Sequence, residues 1–237
     1  MYSSTQLAKM IDHSILHPTM TDQDLMDGCN LAKEYHVASV CVKPYAVKKA
    51  HELLKFSDVA VGSVIGFPHG NSSVEVKAFE TERAIHDGAK EIDMVINIGK
   101  ALGGDWEYIE KEIGQIKKIT KKRKAILKVI FENDFMPDDE HKIRLCKICS
   151  SLKVDYVKTS TGYGFVKGSD GKYSYKGATE YDVELMRKNS DPEVHVKAAG
   201  GIRTLDEMLR VVEKGATRIG ATATKAILEE ALRRFGK

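Results

Sequence analysis

Cysteine is scarce, with four in 237 residues. That is too few for the disulfide framework of a small secreted domain. A chain this long buries roughly 70% or more of the surface it exposes when unfolded, so it needs neither disulfide nor metal to hold a core. No apolar run approaches the ~18 residues of a membrane span. Ser3, Ser4, Thr5 and Gln6 occupy the stretch where a signal peptide needs an apolar run, so a cytoplasmic protein is expected. Neither sign of charge dominates: 37 Lys and Arg stand against 34 Asp and Glu, a net +3. That balance predicts no nucleic-acid or membrane partner. Apolar residues at 42% and charged residues at 30% are ordinary for a globular chain and exclude a disordered, collagen-like or fibrous one. Cys146 and Cys149 form a Cys-x-x-Cys, but Leu145, Ile148, Cys149 and Leu152 follow helical spacing, so buried small hydrophobes are expected.

Two textures alternate along the chain. β-Branched runs recur at 39–42, 59–67, 92–97, 126–131, 154–159, 194–199 and 217–221. Amphipathic helical stretches lie between them. Val47, Ala50 and Leu54 make one stripe; Ile109, Ile113 and Ile116 make another; Leu205, Met208, Leu209 and Val212 make a third. Ser72-x-x-Glu75 and Thr204-x-x-Glu207 read as capping boxes at helix starts, and Gly88 and Gly215 as helix ends. Strands separated by helices run parallel.

Seven such units fit an open doubly wound sheet or a closed barrel. The open sheet calls for Gly-x-Gly-x-x-Gly after the first strand, and none is present. A barrel needs an eighth strand, and 10–16 supplies it, with Asp12, His13 and Ser14 as the polar residues a site-bearing strand carries. The expectation is one (β/α)8 TIM-barrel domain over 1–237 with a short extra N-terminal helix. The stretch 163–176 breaks the rhythm and reads as a long loop.

The chemistry sits in ionisable residues inside strand runs. Asp93 lies in Ile92-Asp93-Met94-Val95, Lys128 in Leu127-Lys128-Val129, and Lys158 and Lys197 end two further runs. A buried lysine without a partner is costly. The bland reading is snorkelling or carboxylate pairing, but two lysines at equivalent strand ends with an in-strand aspartate favour use. An amine that loses its proton condenses with a carbonyl to a Schiff base. Desolvation and a second nearby cation both promote that loss, and a carboxylate then moves protons. Downstream, Gly200-Gly201 and Gly220, like Thr161-Gly162, follow strands; glycine turns near helix starts expose N–H groups to phosphate. His13 and His17 share an i, i+4 spacing, but Pro18 and the strand argue against a metal pair. The basic run from Lys117 to Lys124 lacks interleaved aromatics and reads as a solvated helix face.

Residues 11–16 (Ile-Asp-His-Ser-Ile-Leu), 40–44 (Val-Cys-Val-Lys-Pro), 62–68 (Gly-Ser-Val-Ile-Gly-Phe-Pro), 91–97, 157–162 (Val-Lys-Thr-Ser-Thr-Gly) and 196–203 (Val-Lys-Ala-Ala-Gly-Gly-Ile-Arg) together resemble the deoxyribose-phosphate aldolase family, in order, from about residue 6 to 235. The resemblance implies a class I aldolase that cleaves 2-deoxy-D-ribose 5-phosphate to acetaldehyde and D-glyceraldehyde 3-phosphate. It implies Lys158 as Schiff-base lysine, Lys197 as the second lysine and Asp93 as the acid/base carboxylate. Asp12, Cys41, Lys128, Thr159, Gly162, Gly200, Gly201, Gly220 and Thr222 are the implied substrate-binding residues. No metal or other cofactor is implied, and a homodimer or homotetramer is. The sequence departs from the family pattern at Ala221-Thr222-Ala223-Thr224 and in the stretched link at 163–176, whose Lys167, Lys172 and Lys176 are expected to be solvated. Another Schiff-base aldolase and a non-catalytic phosphate-binding barrel are the competing readings.

Overall fold

The computed structural model describes residues 2–236. Eight parallel strands close into a barrel: β1 (Ile11–Ile15), β2 (Ser39–Val42), β3 (Ala60–Ile65), β4 (Glu91–Val95), β5 (Ile126–Ile130), β6 (Tyr156–Lys158), β9 (His195–Ala199) and β10 (Ala216–Ala221). Two further short strands, β7 (Val166–Lys167) and β8 (Tyr173–Ser174), stand apart from it. Helices α1 (Ser4–Ala8), α2 (Asp22–Glu34), α3 (Val47–Leu54), α4 (Val74–His86), α5 (Ile98–Leu102), α6 (Trp106–Arg123), α7 (Asp139–Ser151), α8 (Glu180–Asn189), α9 (Leu205–Glu213) and α10 (Thr224–Phe235) occur in chain order. The eight-stranded TIM barrel with its short N-terminal helix is the architecture expected. The polar run Asp12-His13-Ser14 is the closing strand, pairing β10 on one side and β2 on the other.

Alternation divides each strand between two environments. Outward residues such as Ile92, Met94, Leu127, Val129, Val157, Val196 and Ile219 pack with the helix stripes, including Ile109, Ile113 and Ile116 of α6, into one buried apolar layer. At roughly 25 cal/mol per Å² of apolar area, this layer is the main source of stability. Cys146 and Cys149 are free and buried in it, and burial pushes the Cys146 thiol up to about 12.

Helix α9 begins at the expected capping box, with Thr204 accepting from the Glu207 N–H while Glu207 accepts from the Thr204 N–H. At α4 the cap lies one residue later than expected: Ser73, not Ser72, accepts from the Val76 N–H, and Glu75 closes no box. Two adjacent serines differ only in which phase puts Val74 and Ala78 against the core.

Among the described residues, one ion pair outside the barrel interior is fully buried on both sides. Lys77 on α4 is fully buried and donates to the Gly70 and Val95 carbonyls at 2.7 Å each and to Glu112 on α6 at 2.5 Å. Glu112 also accepts from the Asn97 N–H at 2.9 Å. Lys77 thus ties two helices to the loops after β3 and β4. Lys77→Met is expected to strand a buried carboxylate and two carbonyls, costing about 3–5 kcal/mol and lowering Tm by about 10 °C. Thermal unfolding monitored by circular dichroism measures it, and a drop under about 2 °C would contradict the account.

The stretch 163–176, expected as a long loop, carries a short hairpin. Val166 pairs with Ser174 and Lys167 with Tyr173 in a small antiparallel hairpin. Phe165 meets Tyr175 edge-on at 5.2 Å. Asp134 holds the returning strand by accepting from the Lys176 N–H at 2.5 Å and the Gly177 N–H at 2.9 Å. Lys167, Lys172 and Lys176 are exposed, as expected.

Candidate active site

The inward positions of the strands bring the ionisable residues together. Lys158 and Lys197 are register partners on β6 and β9, so their side chains rise side by side. Both donate to the same oxygen, Oδ2 of Asp93, at 2.7 Å each, so the two nitrogens lie within twice that distance. Lys128, the register partner of Asp93, approaches its Oδ1 at 3.1 Å. Lys197 and Lys128 also donate to Oδ2 of Asp12, at 2.5 and 2.7 Å. The other Asp12 oxygen accepts from Ser39 at 2.7 Å and from Arg218 at 2.6 Å. Glu91 accepts from Arg218 at 3.1 Å through both oxygens and also accepts from Lys128. Lys158 is 3% exposed and Lys197 1%.

Burial and neighbours split the two lysines electrostatically. Burial disfavours a charged amine at both. At Lys158, burial outweighs the pull of Asp93, Lys197 adds repulsion, and the amine is held below its ordinary value. At Lys197, Asp12 and Asp93 together overcome burial and hold the ammonium above its ordinary value. The two neighbouring amines are thus shifted in opposite directions, Lys158 toward losing its proton and Lys197 toward keeping it. Asp93 is held far below the carboxylate range against burial by Lys128, Lys158 and Lys197, and Asp12 is held low by Lys128, Lys197 and Arg218.

Lys158 opens into a cleft of about 390 Å³ at the C-terminal end of the strands, where barrel active sites lie. Its lining includes Gly162, Gly200, Gly201, Gly220 and Thr222, all expected at the site. Arg203 joins them, and α10 starts beside Thr222 with no side chain capping its first N–H groups. Gly200 has φ +93°, and a Cβ on Gly177 would lie 2.4 Å from its carbonyl oxygen, so the turn and the end of the hairpin touch main chain to main chain.

Other expected binding residues fall elsewhere. Asp12 and Lys128 are fully enclosed beneath the cleft, each tied into the ion pairs described, and do not line it. Cys41 is buried against Leu16 and Val64, with Phe67 and Tyr163 over them, and burial pushes its thiol up to about 11. Thr159 is fully buried, and its hydroxyl donates to the Ala199 carbonyl at 3.0 Å and accepts from the Ala199 N–H at 3.1 Å, bracing β6 against β9. His13 is buried, hydrogen-bonded to Thr224 at 2.8 Å, and lowered by burial to about 4, which leaves a neutral imidazole.

The hairpin adds residues that no pattern in the sequence singles out. Tyr163, Phe165 and Tyr175 line the cleft with Ser14 and His17. Tyr163 packs edge-on to Phe67 at 5.5 Å. Glu132, just past β5, accepts from the Thr161 N–H and hydroxyl, fixing the turn that leads to Tyr163. Burial, only partly offset by those bonds, raises Glu132 to about 7.

This arrangement belongs to a known group of enzymes. Residues 6–230 match the DeoC/LacD family of aldolases. The chain belongs to this family. A deoxyribose-phosphate aldolase from Rhodopirellula baltica is 47% identical over 235 residues, covering 99% of this chain and 93% of that protein. One from Thermococcus gammatolerans is 45% identical over 227 residues, 95% of this chain and 96% of its own. The tetrameric deoxyribose phosphate aldolase of Aeropyrum pernix superposes with a TM-score of 0.86 at 31% identity, over 96% of this chain and 92% of that one. Family membership accounts for the in-strand lysines: the barrel is that of an aldolase. Among the described residues, no helix is long and apolar enough to cross a membrane.

Proposed function

We propose that this chain is a class I aldolase that reversibly cleaves 2-deoxy-D-ribose 5-phosphate to acetaldehyde and D-glyceraldehyde 3-phosphate. The observation that carries this reading is the pair Lys158 and Lys197 on one oxygen of Asp93, at the floor of a glycine-edged cleft.

The neutral Lys158 amine adds to the C1 aldehyde of the open-chain sugar, and loss of water leaves an iminium. The iminium draws the C2–C3 bonding pair toward nitrogen as the C3 hydroxyl gives up its proton. The three-carbon aldehyde phosphate departs and an enamine remains on Lys158. Proton return to C2 and addition of water at C1 release acetaldehyde and the free amine. Asp93, acting through water, handles the C3 proton. A carboxylate ringed by ammonium groups is a weak base, but once protonated it is a strong acid, which suits a proton held briefly and passed on. Lys197 adds to burial in disfavouring the protonated form of Lys158. The Gly200–Arg203 turn and the end of β10 with Thr222 receive the phosphate, supplying N–H donors and one guanidinium.

Sodium borohydride with acetaldehyde tests this. Reduction is expected to leave an ethyl group on Lys158, located by peptide mass spectrometry. Absence of that adduct sinks the reading. Trapping by dihydroxyacetone phosphate instead would redirect it to another Schiff-base aldolase. Cytoplasmic location and a homodimeric or homotetrameric assembly belong to the same reading, and light scattering checks the assembly.

A further inference from the structure

Among the described residues, seven carboxyl, amine and guanidine side chains are enclosed in the barrel interior: Asp12, Glu91, Asp93, Lys128, Lys158, Lys197 and Arg218. Three are carboxylates. All four basic groups contact those carboxylates, and Lys158 contacts Asp93 alone. Lys128 contacts Asp12, Glu91 and Asp93. Lys197 contacts Asp12 and Asp93. Arg218 contacts Asp12 and Glu91. With Lys158 neutral, three negative and three positive charges cancel. A proton on Lys158 leaves the interior with one uncompensated positive charge.

Glu91 and Arg218 have no part in the chemistry proposed above and do not line the cleft. They sit one alternation before Asp93 on β4 and before Gly220 on β10, toward the closed end of the barrel. The Arg218 guanidinium lies over the Tyr156 ring at 5.4 Å. Glu91 reaches Lys158 through an unbroken series of contacts: Glu91 to Lys128, Lys128 to Asp93, Asp93 to Lys158. Arg218 reaches it through Asp12, Lys197 and Asp93.

We infer that Glu91 and Arg218 are positioning residues that fix the charge of the barrel interior, so that it is balanced only while Lys158 is an uncharged amine. The inference rests on the aldolase reading and extends it to residues that never touch substrate. In a low-dielectric enclosure a charge is felt well beyond contact, because little water screens it. Removing Glu91's charge therefore makes Lys158 harder to protonate, and removing Arg218's makes it easier, although both changes break a buried ion pair. Other groups facing Lys158 are common to every variant. They are Asp12 from β1, Cys41 from β2, Asp93 from β4, Lys128 on β5 with Glu132 just past it, Tyr156 on its own strand, Lys197 from β9, and His17, Tyr163, Tyr175 and Arg203 at the rim.

The test is the pH dependence of kcat/KM for retro-aldol cleavage of deoxyribose 5-phosphate, together with the pH dependence of borohydride trapping by acetaldehyde. Glu91→Gln is expected to move the acid limb of both curves down by about one pH unit, and Arg218→Gln to move it up by a similar amount. The double variant restores neutrality and should return the limb to the wild-type position. Arg218→Lys keeps the charge and should leave the limb in place. A general loss of packing would lower rates without shifting the limb in opposite directions. Shifts of the same sign, or none, overturn the inference. If Arg218→Gln does not fold, Glu91→Gln alone decides by the direction of its shift; if both single variants fail to fold, the neutral double variant with a displaced limb would overturn it and one with a wild-type limb would support it. Failure of wild-type trapping at Lys158 would instead overturn the aldolase reading itself.

Discussion

Lys158→Arg is expected to reduce cleavage of deoxyribose 5-phosphate by at least about 10⁴-fold, the scale seen when a covalent nucleophile is removed. The substitution keeps a positive charge and a long side chain, so binding of the phosphate end should survive. What is lost is the ability to become neutral. A guanidinium does not release its proton in a protein and so cannot condense with an aldehyde. Arginine also places a permanent charge where the surroundings favour none: Lys158 is 3% exposed and lies beside cationic Lys197. The variant should therefore also be less stable than the parent. A continuous assay of acetaldehyde release measures the first effect and thermal unfolding the second. Residual turnover above about 1% would mean that the amine at this position does not carry the reaction.

Lys197→Leu is expected to cost about 10²-fold or more at neutral pH and to move the acid limb of kcat/KM upward by one to two units, roughly the effect of one close charge in a protein interior. Two consequences of the change act in the same direction. The like charge that repels a proton from Lys158 disappears, and Asp93 and Asp12 each lose a partner, becoming more attractive to that proton. Lys158 then stays protonated over more of the pH range. Each unit by which its pKa rises above the working pH reduces the reactive fraction about tenfold. The neutral amine returns only at higher pH, so activity should partly recover there. Rates measured between pH 5 and 10 decide the matter: a uniformly lowered curve with its limb unmoved would remove like-charge repulsion from the account.

Much of this was legible from the chain alone because barrel strands write their two environments into alternate positions. Asp93, Lys128, Lys158 and Lys197 stand out as charges within apolar runs, and one closed sheet is enough to turn them toward each other. The same rule, carried one alternation further toward the strand starts, would have reached Glu91 and Arg218. Glu91, the first residue of β4, and Arg218, within β10, are harder to single out because a charge near a strand start looks like a solvent-facing end. The hairpin was not legible. Its strands are two residues each, too short to show a period, and it is held by Asp134 and by the Phe165–Tyr175 contact, which only the folded chain assembles. The distinction between lining the cleft and lying under it was equally hidden. Asp12 and Lys128 carry the right chemistry, but their depth depends on strand stagger, which the sequence does not express.

The hairpin between Gly162 and Gly177 leaves the barrel and returns without contributing a strand to it, while its aromatic side chains form one wall of the cleft. On the aldolase reading, the reactive amine and one wall of the acceptor space therefore lie on separate parts of the chain. The amine is tuned by a charge lattice sealed in the barrel's well, and the hairpin shapes one side of the space presented to an incoming aldehyde. Grafting hairpins of other length or side-chain character between those two glycines offers a route to new acceptors in which the nucleophile need not be retuned.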